Sequence, residues 1–146
     1  MYLVDTNVLS AGAPSRIAPA ELIAWMDEHS SELFLSAVTV AEIEDGIAKL
    51  RREGATRKAA DLAAWLETLL HLYGSRILPF GTVVARVAGA LSDHARAHGQ
   101  APGFADIAIA ATAKHHGLTI LTRNLRHFEP LGVPTIDPFV ALPLPA

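Results

Sequence analysis

The segment FADIAIAATAKHHGLTILTRN, residues 104–124, holds a helix-length apolar stretch, a glycine, and a short apolar run ending at Thr-Arg-Asn. Residues 104–117 read as a helix closed by Gly117, and LTILT, 118–122, as a strand. Asp106 opens the helix and Asn124 follows the strand. A helix feeding straight into a short buried strand is one half of a βαβ unit, and the same pattern recurs towards both ends of the chain.

YLVD (2–5) is another strand, and ELFLS (32–36), RILPF (76–80) and VPTID (133–137) supply three more. Helical segments separate them. PAELIAWMDEHS (19–30) has Pro19 near its first turn, where a missing N–H is harmless. In TVAEIEDGIAKLRR (39–52), Val40, Ile43, Ile47 and Leu50 fall on one stripe, and Gly54 breaks the pattern. TRKAADLAAWLETLLHLYG (56–74) repeats the scheme with Leu62, Leu66, Leu69 and Tyr73, and Gly74 stops it. Thr82 is the expected cap of VVARVAGALSDHARAHG (83–99), whose stripe is Val84, Val87, Leu91 and Ala95. Alternating strands and helices predict an α/β fold: a mostly parallel central sheet with helices on both faces. Only DPFVALPLPA (137–146) reads as irregular, because its prolines bar regular structure.

Composition narrows the classes. With 146 residues, 51% hydrophobic and 18% charged, the chain is the size of one domain and too apolar for disorder. Cysteine is absent, which excludes disulfides, thiolate metal sites and cysteine nucleophiles. Neither a basic leader nor an uninterrupted membrane-length apolar run is present, so the expected location is cytoplasmic. The net charge of −3 does not suit a nucleic-acid binder that works by charge alone. One run, KLRREGATRK, is nonetheless basic, with Lys49, Arg51, Arg52, Arg57 and Lys58 against Glu53. It reads either as a solvated helix face or as a phosphate-binding patch.

In a parallel sheet the binding crevice lies outside the carboxyl ends of the strands. Asp5 ends the first strand, Glu42 sits early in the helix after the second, Asp106 opens the helix before LTILT, and Asn124 follows it. Each has a purely structural explanation. Asp5 and Asp106 suit helix caps or first turns, Thr39-Val-Ala-Glu42 fits a capping box, and Asn124 suits a left-handed turn. His94 and His98 are spaced for one helix face, but near a helix C-terminus a solvated role outweighs a zinc site. No Gly-x-Ser-x-Gly elbow supports a serine hydrolase.

VDTNVLS, LSAVTVAEIEDGI, ADIAIAATAKHHGLTILTRN and the following LRHF, in this order and spacing, resemble the PIN-domain ribonuclease toxins of type II toxin-antitoxin systems, in particular the VapC and FitB-like group. The resemblance covers nearly the whole chain and implies a single PIN domain over 1–146, with an irregular tail from about 137. Carried over by position, it makes Asp5, Glu42 and Asp106 catalytic, metal-binding acids. Asn124 takes the fourth position, often aspartate in the family, and Thr6 and Asn7 are supporting groups. The implied cofactor is Mg²⁺, with Mn²⁺ able to substitute, and the implied reaction is hydrolysis of RNA by a metal-activated water. The implied partners are RNA, a DNA-binding antitoxin of the VapB/FitA kind, and a second copy of the chain, with no membrane. Lys49, Arg51, Arg52, Arg57 and Arg123 become candidate RNA or antitoxin contacts. Two alternatives use the same residues: an inactive PIN-like RNA-binding scaffold, motivated by Asn124, and a haloacid-dehalogenase-like phosphatase. The latter would want an Asp where Asn7 stands.

Overall fold

The computed structural model describes residues 1–14 and 16–145. Five short strands, β1 (Tyr2–Val4), β2 (Leu33–Ser36), β3 (Ile77–Leu78), β4 (Thr119–Leu121) and β5 (Thr135–Ile136), form one sheet in the order β3-β2-β1-β4-β5. Every pairing is parallel, with Leu3 opposite both Phe34 and Ile120. The expected "mostly parallel" sheet is thus wholly parallel, and β1 is its central strand, flanked by β2 and β4.

Alternation along the strands builds two cores. Leu3 and Ile120 point into one, with Phe34 packed against it, filled by α5 (Thr82–Ala97) and α6 (Phe104–His116). Val4, Leu33, Leu35 and Leu121 point into the other, against α3 (Ala37–Arg52) and α4 (Thr56–Tyr73). Successive side chains leave a strand on opposite faces, so a sheet buried on both sides reads as an unbroken apolar run. α2 (Ala20–Glu28) adds Leu22 and Trp25. α6 is buried continuously from Ile107 to Ala113, and its alanines let neighbouring elements approach closely. Gly117, at φ 66°, ends it in the left-handed conformation that favours glycine.

Two helix starts differ from the sequence reading. Thr82 is the first residue of α5, and Gly81 occupies the cap position. α3 begins at Ala37, with Ser36 Oγ accepting from Val38 N, so Thr39 lies inside the helix instead of capping it. Ser36 completes a strand and starts a helix with no intervening loop, which moves the cap three residues upstream. The capping-box explanation of Glu42 therefore fails.

The sequence pattern does not predict the short α-helices α1 (Thr6–Leu9), directly after β1, and α7 (Leu125–Phe128), shortly after β4. Among the described residues the tail has no regular element after β5, although Phe139 and Leu142 pack on the second core. Among the described residues, no helix is long and apolar enough to cross a membrane.

Candidate functional site

Pairing of β1 with β4 sets Val4 beside Leu121, so Asp5 and Thr122 emerge together at the carboxyl ends of adjacent interior strands. Asp5 is only 5% exposed, and Thr122 is fully buried. A buried carboxylate needs partners, and Asp5 has several. Its Oδ1 accepts from Thr6 N at 2.9 Å, which makes Asp5 the cap of α1. Its Oδ2 accepts from Thr122 Oγ1 at 2.8 Å and from Asn7 Nδ2 at 3.3 Å.

Asn7 bridges further, its Oδ1 accepting from Arg123 N at 3.0 Å. Thr6 turns the other way and donates from Oγ1 to Glu42 Oε1 at 2.7 Å. Glu42 is therefore brought to Asp5 by tertiary structure, through Thr6. The link to Thr6 stands where the capping role does not. Asp106 lies in the first turn of α6, its Oδ2 3.0 Å from His127 Nδ1 on α7.

Asp5 and Glu42 both feel the charge of Asp106. Burial pushes the Asp5 carboxyl above its ordinary range; the Thr122 and Thr6 hydrogen bonds pull it back, Asp106 raises it, and His127 partly offsets that. Glu42 is raised first by desolvation, which the Thr6 hydroxyl opposes, and then by the negative charges of Asp5 and Asp106. Carboxylates raised by burial and mutual repulsion suit a divalent cation, and an all-oxygen donor set suits a hard one. Among the described residues, however, no three His, Asp or Glu side chains are already drawn into a ligand cluster. Glu42 is engaged by Thr6, and Asp106 by His127.

Asn124 takes part through its backbone: its N–H donates to Thr122 Oγ1 at 3.0 Å. Its φ of −103° is not left-handed, so the left-handed-turn explanation does not apply. The basic residues scatter. Lys49, Arg51 and Arg52 lie in the last turn of α3, roughly 10–15 Å along the helix from Glu42 at 1.5 Å per residue. Arg57 and Lys58 begin α4. The Arg123 guanidinium stacks 4.1 Å above the Phe139 ring. Thr122 and His127 escaped the sequence reading. The signal for Thr122 is a hydroxyl closing an apolar strand, and His127 stands within the LRHF motif itself.

Residues 2–131 match the family description "PIN domain". The chain belongs to the PIN domain family. This PIN domain is 40% identical over 142 residues to Toxin FitB of Neisseria gonorrhoeae, covering 95% of the chain and 99% of the relative. It is 37% identical over 143 residues to VapC ribonuclease Y4jK of Sinorhizobium fredii, covering 95% and 98%. It superposes on the crystal structure of FitAcB from Neisseria gonorrhoeae with a TM-score of 0.81 at 40% identity, covering 94% of this chain and 98% of that one. The structure of FitAB bound to an IR36 DNA fragment gives 0.75 at 34% identity, covering 100% and 99%.

Proposed function

We propose that this PIN domain is the toxin of a toxin-antitoxin pair and acts as a divalent-metal-dependent endoribonuclease at the Asp5, Glu42 and Asp106 cluster. The observation that carries the reading is the buried Asp5 carboxylate, held by Thr6, Asn7 and Thr122 at the strand ends and electrostatically coupled to two further acids. Near-full-length similarity to a VapC ribonuclease and to FitB supports the reaction class. Similarity to FitAB on DNA supports a DNA-binding antitoxin partner.

Asp5, Glu42 and Asp106 would hold Mg²⁺ or Mn²⁺, and such an ion supplies Lewis acidity and a water of lowered pKa. The chain's own groups do the rest. Asp5 is fixed in place by three donors, Thr6 sets the reach of Glu42, and His127 restrains Asp106. Second partners of this kind fix the orientation of metal-binding carboxylates. No side chain is required as a nucleophile.

Expression in a bacterial host tests the reading. Induction of the wild-type chain arrests growth, Asp5→Ala accumulates as folded protein without arrest, and co-expressed antitoxin restores growth. Arrest by a folded Asp5→Ala protein would overturn the site.

A further inference from the structure

Asp106 borders a second feature, an open concavity of about 250 Å³ whose walls include Gln100, Gly103, Arg126 and His127. The loop between α5 and α6 forms one side, and α7 contributes the two nitrogen-bearing side chains. His127 is held through Nδ1 on Asp106, while its ring remains half exposed. Arg126 is exposed and, among the described residues, forms no ion pair.

A phosphodiester chain running past three acids gains from positive charge beyond the cation those acids would hold, at the phosphates that flank the cut. The run from Lys49 to Arg52 sits at the far end of α3 from Glu42, and Arg123 is stacked on Phe139. Arg126 borders the concavity that Asp106 also lines, and its planar fork matches phosphate oxygens. Resting on the nuclease reading above, we infer that this concavity is a substrate subsite, in which Arg126 grips a backbone phosphate of the RNA adjacent to the one cut. Arg126 is a binding residue in this assignment and takes no part in bond breaking.

The test compares wild type, Arg126→Ala and Arg126→Lys on a short fluorescein-labelled single-stranded RNA of mixed sequence. Binding is read by anisotropy across a salt series, and cleavage in Mn²⁺ by rate against RNA concentration. Arg126→Ala is expected to weaken binding about tenfold or more. The slope of log K against log salt shrinks by about 0.7, the value for one phosphate contact on a single strand. Cleavage at low RNA concentration falls in step with the lost affinity, and the loss lies in KM more than in kcat, as for a contact made in both ground and transition states. Arg126→Lys keeps the slope and loses only part of the affinity, because lysine retains the charge without the fork.

Unchanged affinity and slope in Arg126→Ala overturns the assignment. A lower affinity with an unchanged slope does so too, because it denotes an indirect effect. Loss of antitoxin binding with RNA binding intact would make the concavity a protein contact and also overturn it. If the wild-type protein neither binds nor cuts RNA, the nuclease reading itself fails, and that failure is recognisable without any variant.

Discussion

Thr122 Oγ1 donates to Asp5 Oδ2 at 2.8 Å, linking residues 117 positions apart in sequence at the ends of adjacent parallel strands. The same hydroxyl accepts from Asn124 N at 3.0 Å and lies 3.4 Å from Asn7 Nδ2. One buried oxygen therefore ties the first strand, the fourth strand and the loop after it to the carboxylate at the centre of the proposed site.

Replacing that hydroxyl by a methyl of similar shape should cost stability. Thr122→Val leaves Asp5 Oδ2 with only the longer Asn7 contact, and a buried carboxylate deprived of a donor costs about 1–3 kcal/mol. A lowered urea midpoint with an unchanged m-value is the expected result, and Thr122→Ser should recover most of the loss. The Asp5 carboxyl should also titrate higher still in the valine variant, because this hydrogen bond is the largest of the effects that lower it.

The raised carboxyls give the metal-free protein a defined pH response. Asp5 and Glu42 titrate above their ordinary values of 3.8 and 4.5. Between the unfolded and folded values, the folded chain binds more protons than the unfolded one. The stability these groups contribute is therefore complete below the unfolded values and is lost as pH rises through the folded ones. Carboxyl ¹³C titration should show both midpoints displaced upwards. Mn²⁺ competes with those protons, so its affinity should fall as pH drops through the same range.

Thr6 gives the cleanest separation of site from scaffold. Thr6→Val removes the 2.7 Å link to Glu42 while leaving the Thr6 backbone N–H on Asp5. Loss of such a supporting partner typically lowers metal affinity or activity about 10–100-fold. Stability should change by only about 0.5 kcal/mol, because the lost bond is exposed. Calorimetric Mn²⁺ titration beside a urea curve reads both quantities.

Much of this was legible in the sequence, and the limits have physical causes. Apolar runs such as YLV and TIL, separated by helical stripes, are sufficient for a parallel sheet, because strands buried on both faces have no alternation to misread. α1 and α7 are four residues each, too short to show a period, and so they were missed. The capping-box explanation of Glu42 fails because such a box is a pattern of neighbours, whereas the partner of Glu42 is 36 residues away. The cap role that the position of Asp5 allowed is the one it takes on α1, and its carboxylate is buried at the strand end as well. The bond from Asp106 to His127 depends on how α7 packs after β4, which no spacing rule predicts.

The basic run makes a contrasting prediction. Charge reversal at Arg51 and Arg52 should weaken RNA binding at low salt and leave the cleavage rate at saturation intact, because both residues lie in the last turn of α3, remote from the acids. Rate against RNA concentration at two ionic strengths distinguishes the two effects. A collapse of the saturated rate would place these arginines at the cut itself.

Cleavage of total RNA by purified, antitoxin-free protein, in Mn²⁺ and in EDTA, beside Asp106→Asn, tests the central claim most directly. The account predicts discrete fragments in Mn²⁺, none in EDTA, and none from a variant whose circular dichroism matches wild type. Fragments that persist in EDTA, or that a folded Asp106→Asn protein still produces, would contradict it.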